Sequence, residues 1–167
     1  QALCIVNTRR HAAEVYERLG ESESDFHLSA RMCPAHRQNV FDRIQTRIEE
    51  GLPCRVVSTQ LIEAGVDIDF PVVFRSMAGV DSIAQAAGRC NRHGTIKEGG
   101  RLFLFRAEDT SAEKFFADTA NCGRQILELY DDPLDLDAVE HYFRLYYWDQ
   151  SSRWDARNVL DCFELDK

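Results

Sequence analysis

The chain has 167 residues and a formal net charge of −8, enough for one domain with an appendage. No apolar run reaches the roughly 18 residues a membrane span needs, and Gln1-Ala2-Leu3-Cys4 lacks the basic start of a signal peptide. The start also lacks an initiator Met, which leads us to expect a piece of a longer polypeptide. The six cysteines, Cys4, Cys33, Cys54, Cys90, Cys122 and Cys162, form no Cys-x-x-Cys pair; that argues against zinc and for reduced thiols in a cytoplasmic protein. Charge is divided unevenly. Residues 1–106 carry 14 basic and 13 acidic side chains, and residues 107–167 carry six and 15. The acidity thus belongs to the tail, and the charge by itself does not argue for nucleic acid.

In chain order, Leu3 to Val6 reads as a short buried strand. Thr8 is a candidate N-cap. Ala12, Val15, Tyr16 and Leu19 form the stripe of a helix that Gly20 closes. Phe26 to Ser29 is a second strand. Pro34 opens a helix with Val40, Phe41, Ile44 and Ile48 inward, ended by Gly51 and Pro53. Cys54 to Ser58 and Pro71 to Phe74 are further strands, Asp81 to Cys90 a helix, and Arg101 to Phe105 a fifth strand. Such alternation implies an α/β fold, a parallel sheet with helices on both faces. Ligands of these folds gather beyond the carboxyl ends of the strands, where Asn7-Thr8 and Ser58-Thr59 lie.

After Phe105 the pattern becomes helical. Thr110-Ser111-Ala112-Glu113 matches a capping box, with a helix to about Tyr130 and a second from near Asp137. Tyr142, Phe143, Tyr146, Tyr147 and Trp148 have the aromatic character of a base-stacking surface; helical spacing and local acidity favour packing or docking instead. We divide the chain into 1–106, an α/β domain, and 107–167, an acidic helical extension.

Three segments carry chemistry: Asn7-Thr8-Arg9, then Ser58-Thr59 through Gly65-Val66-Asp67, then Gln85-Ala-Ala-Gly-Arg89-Cys-Asn-Arg92. Arginines three apart on one helical turn face the same way and suit a polyphosphate. Simpler alternatives exist for each residue taken alone: a cap for Thr8, a loop start for Thr59, and a Ser82-x-x-Gln85 capping box for Gln85.

In this order the three segments resemble motifs IV, V and VI of the second RecA-like domain of superfamily 2 helicases. Thr59-Gln-Leu-Ile-Glu-Ala-Gly-Val-Asp-Ile-Asp-Phe70 and Ala87-Gly-Arg-Cys-Asn-Arg-His-Gly94 resemble most the CRISPR-associated helicase-nuclease of type I systems. The resemblance implies a RecA-like fold and ATP-driven movement on single-stranded DNA for target degradation. Arg92 and Arg89 would be catalytic, with Arg92 the arginine finger. Gln85, Asp67 and Gly65 would join them at ATP, and Asn7, Thr8, Arg9, Ser58 and Thr59 would hold the nucleic-acid strand.

No Gly-x-x-x-x-Gly-Lys-Ser/Thr phosphate loop and no His-Asp nuclease motif occur. The implied partners are therefore a first RecA-like domain, holding most of the Mg²⁺-ATP, and a nuclease domain of the same full-length protein. Single-stranded DNA, a CRISPR effector complex and an inhibitor protein complete the set, with no membrane and with the fragment inactive alone. Two other readings are another superfamily 2 motor, such as an RNA helicase or a restriction translocase, and a non-catalytic docking module on the same fold.

Overall fold

The computed structural model describes residues 1–20, 22–63, 68–91, 94, 97, 99–107, 116–149 (149 as backbone only), 151 and 155. Five parallel strands form one sheet: β1 (Ala2–Ile5), β2 (Asp25–Leu28), β3 (Arg55–Ser58), β4 (Val72–Ser76) and β5 (Arg101–Phe105), in the order β2-β3-β1-β4-β5. Between them run α1 (Arg9–Leu19), α2 (Pro34–Glu49) and α3 (Val80–Ala87), and two helices follow, α4 (Ala117–Leu129) and α5 (Leu136–Asp149). The expected alternation is present. The capping box at Thr110 lies outside the described residues.

Local chemistry sets the ends of these elements. Thr8 Oγ1 accepts a hydrogen bond from the His11 amide at 3.2 Å, capping α1. Gly20 ends α1 at φ +88°, a left-handed conformation that favours glycine, and its N–H donates to the Glu17 carbonyl. α2 begins at Pro34, as expected. α3 departs from expectation at both ends. Gly79, not Ser82, is its N-cap, so the Ser82/Gln85 capping box does not form. The helix stops at Ala87, before Arg89. Arg89 sits in a turn, Cys90 bridges to Phe70, and Asn91 has φ +57°. Arg89 therefore lies outside α3, and Arg92 lies outside the described residues.

The faces follow from the connections. Steps β2→β3, β3→β4 and β4→β5 all move one way across the sheet, while β1→β2 moves the other way. Right-handed crossovers then put α2 and α3 on one face and α1 alone on the other. Leu3, Ile5, Phe26, Leu28, Val56 and Val73 pack with Val40, Ile44 and Ala86 on the first face. Val57, Val6 and Ala12 form the smaller core under α1. α1 reaches only part of its face. Phe74 and Phe103, register partners on β4 and β5, stay 39% and 45% exposed and stack with centroids 5.3 Å apart. Cover on both faces is thus incomplete among the described residues.

α4 and α5 pack on α3. Cys122, Ile126, Ala138 and Tyr142 close with Val80 into a separate apolar cluster. Of the aromatic face, Tyr142 is buried and Tyr146 packs against the cluster, while Tyr147 and Trp148 are exposed. No described helix is long and apolar enough to cross a membrane.

One charge pair fastens the sheet edge. Asp25 and Arg55 are register partners on β2 and β3. Arg55 grips the carboxylate with both Nε and Nη2, at 2.6 and 2.8 Å. Burial would raise the Asp25 carboxyl, but hydrogen bonds from Arg55 and Ser22 outweigh it and hold it below the ordinary carboxylate range. A lowered folded pKa gives stability that is present above the unfolded value and is lost as pH falls through the folded one. Asp25→Asn is therefore expected to flatten the loss of melting temperature below about pH 4. An unchanged acid slope in thermal unfolding would contradict this role.

Candidate functional site at the carboxyl rim

The carboxyl ends of β1, β3 and β4 meet at a buried polar network. Arg75, the fourth residue of β4, has no exposed surface. Its Nε lies 2.8 Å from Glu63 Oε1, in an ion pair whose side chains are 0% and 4% exposed. Its Nη1 donates to Asn7 Oδ1 at 2.6 Å and to the Ser76 carbonyl at 2.8 Å. Asn7 Nδ2 donates in turn to the Met77 carbonyl at 2.8 Å. Gln60 Nε2 reaches the Asn7 carbonyl at 3.4 Å. A guanidinium removed from water is tolerated only when paired and hydrogen-bonded, and these partners come from the segments after β1 and β3 and from the end of β4 itself. Burial pushes the Glu63 carboxyl above its ordinary range, and the Arg75 charge works against that rise.

The expected site residues fall into three groups. Asn7, Ser58, Thr59 and Arg89 are buried. Asn7 engages both ends of its amide, and Ser58 Oγ donates to the Leu28 carbonyl at 3.4 Å. Thr59 begins a short 3-10 turn, Gln60–Ile62, that delivers Glu63 into the network. Arg89 was expected to face a phosphate. It is turned inward instead, 6% exposed, with Nη2 donating to the Glu63 carbonyl at 2.8 Å. The reason is the early end of α3, which carries the backbone back toward the sheet at Cys90.

A second group reaches solvent. Gln85 is exposed on α3, and Arg9 is exposed at the start of α1 beside its cap, Thr8. Arg9 lines an open hollow of about 580 Å³ together with Arg10, His27, Ser29, Arg31 and Met32. Three arginines at a strand rim and helix start suit an anion. The third group, Gly65, Asp67 and Arg92, lies outside the described residues. Among the described residues no three His, Cys, Asp or Glu side chains converge on a metal position.

The principal residue that sequence reasoning missed is Arg75. The signal was present: a lone charge in Val72-Val73-Phe74-Arg75-Ser76, an otherwise mostly apolar strand of a parallel sheet. A buried charge demands a partner, and the nearest carboxylate in a neighbouring strand-end loop is Glu63. Arg75→Ala should lower the unfolding free energy in urea by about 3–5 kcal/mol, because it strands the Glu63 charge. Arg9→Ala, at the exposed rim, should stay within about 0.5 kcal/mol. Equal effects of the two would remove Arg75 as the organising residue.

Comparison with known proteins places this geometry. The family model described as CRISPR-associated nuclease/helicase Cas3, C-terminal, matches residues 1–95. A CRISPR-associated nuclease/helicase Cas3 of Haloferax volcanii is 39% identical over 87 residues, covering 52% of this chain and 9% of that protein. Its counterpart in Methanothermobacter thermautotrophicus is 28% identical over 133 residues, 77% of this chain and 16% of that protein. The chain therefore spans under a fifth of the length of either. Crystalline T. fusca Cas3 with AMPPNP superposes with a TM-score of 0.67 at 20% identity, over 87% of this chain and 20% of that one. That likeness supports the RecA-like fold. The matched stretch contains Asn7, Glu63, Arg75 and Arg89, which together build the rim, and it covers more than half of the sequence. The chain belongs to the family of Cas3 C-terminal helicase domains.

Proposed function

We propose that the chain is the C-terminal RecA-like half of an ATP-dependent translocase on single-stranded DNA, acting in CRISPR interference. The observation that carries this reading is the line of contacts Asn7–Arg75–Glu63–Arg89. It joins the three segments that this reading assigns to the nucleic-acid strand, to the link between the sites and to the nucleotide. A module that only docked a partner would have no need to spend a fully buried arginine there.

On this reading Arg9 and the neighbouring basic hollow hold backbone phosphates, contacts that fix position and ignore sequence. Thr8 and the backbone N–H groups of the first turn of α1 sit at the same anion-favouring end. Gln85, with Gly65 and Asp67, faces the nucleotide. Arg92 is the finger that meets charge developing on the transferred phosphoryl group. Arg89, tied to the Glu63 carbonyl, braces the rim instead of touching phosphate itself. Ser58, Thr59 and Asn7 shape the rim from beneath. Mg²⁺ would neutralise the phosphate oxygens when bound and, as the family resemblance implies, would be held mainly by the other RecA-like domain. The chain alone, with no phosphate loop, then hydrolyses nothing.

The reading predicts a specific pattern in the full-length protein. Arg92→Ala lowers strand-stimulated ATP hydrolysis by about 10³-fold or more, equivalent to at least about 4 kcal/mol of transition-state stabilisation. Nucleotide affinity falls far less. Stimulation by single-stranded DNA exceeds that by RNA of the same length. Normal ATPase in Arg92→Ala removes the finger assignment, and stronger stimulation by RNA removes the DNA substrate.

A further inference from the structure

The acidic extension has no part in the function as described so far, yet it grips the loop that launches α3. Tyr142 of α5 is 1% exposed and its hydroxyl donates to Asp81 Oδ1 at 2.9 Å. Asp81 is in the first turn of α3. The loop between β4 and α3 is held so closely that two glycines are required. A Cβ on Gly79 would stand 2.1 Å from the Tyr142 hydroxyl oxygen and 2.4 Å from Asp81 Oδ1. A Cβ on Gly123 of α4 would stand 2.3 Å from the Ala78 carbonyl oxygen. From the opposite side Asn7 holds the Met77 carbonyl, and Met77 N–H donates to the Phe105 carbonyl.

α3 itself has eight residues and no side-chain cap. A helix so short does not set its own direction in water. Its two ends belong to different cores: Val80 packs among Cys122, Ile126, Ala138 and Tyr142, and Ala86 packs in the main core of the sheet. Of the residues expected at the nucleotide, Gln85 lies on it, and Arg89 and Arg92 follow it in the sequence.

We infer that Tyr142, through Asp81, is a positioning residue for the nucleotide site, and that the α4–α5 pair serves to aim α3. The inference rests on the motor reading above, and it adds a working role for the extension. The Tyr142 hydroxyl is suited to a fixed donor. Burial, followed by the hydrogen bond and charge of Asp81, pushes its pKa far above the ordinary phenol value, so it keeps its proton. Asp81 is exposed at its other side, so loss of the hydroxyl leaves a carboxylate that water can serve.

The test uses the full-length protein and strand-stimulated ATP hydrolysis. Tyr142→Phe keeps the ring and removes one oxygen, and Asp81→Ala removes the acceptor. Each is expected to lower kcat about fivefold, with the double variant no worse than either single one, as for two halves of one contact. Asp81→Asn, which keeps an accepting oxygen, restores the rate. Asp81→Ala strands a buried hydroxyl and lowers the melting temperature, whereas Tyr142→Phe leaves no buried donor unpaired and keeps it near the wild-type value while still losing rate. Wild-type kcat in Tyr142→Phe, multiplied losses in the double variant, or a lowered melting temperature in Tyr142→Phe that accounts for its loss of rate overturns the inference. Wild-type protein that hydrolyses no ATP with DNA present overturns the motor reading and this inference together; an active wild type with an equally active Tyr142→Phe overturns this inference alone.

Discussion

Arg75 is the constraint around which the rest of the molecule is arranged. A guanidinium with no exposed surface loses its hydration, and only a carboxylate and several acceptors in good geometry offset that loss. Here the carboxylate is Glu63 and the acceptors are the Asn7 amide and the Ser76 carbonyl. Each comes from a different strand end. Pairing one side chain therefore fixes the segments after β1 and β3 against the end of β4, at the edge of the sheet where parallel α/β folds place their ligands. An apolar residue at the same position would pack as well and would leave those segments to find their own positions.

The same economy extends to the helices. Glu63 offers its side chain to Arg75 and its backbone carbonyl to Arg89, so one residue joins the rim to the segment after α3. Asn7 offers one end of its amide to Arg75 and the other to Met77, so it joins the rim to the segment before α3. The short helix is thereby held at both approaches by the network, and at its first turn by Tyr142. Rigid placement of this kind is what a phosphate-contacting group needs, since small displacements of a catalytic group are costly in rate.

Much of this architecture was legible in the sequence. Apolar strand runs, the Thr8 cap, the Gly20 stop and Pro34 are local signals with local causes, and they placed the elements nearly where they stand. The order of the three polar segments identified the family. What sequence reading missed depended on contacts far apart in the chain. The end of α3 was misread because Ala84 to Arg89 reads as good helix, while the bridge between Cys90 and Phe70 is a tertiary pairing with no local trace. Arg89 was expected to point outward for the same reason. The open face at Phe74 and Phe103 follows from strand order, which a list of elements does not contain.

Arg75 is the main link through which the Asn7 and Glu63 side chains are coupled. A double-mutant cycle measures this directly, with unfolding free energies of the wild-type chain, Asn7→Ala, Glu63→Gln and the double variant. A coupling energy within about 0.5–3 kcal/mol is the range for residues sharing one network, and the account predicts a value there that vanishes when the cycle is repeated in an Arg75→Met background. Additivity within about 0.3–0.5 kcal/mol in the wild-type background, or coupling that persists without Arg75, would contradict it.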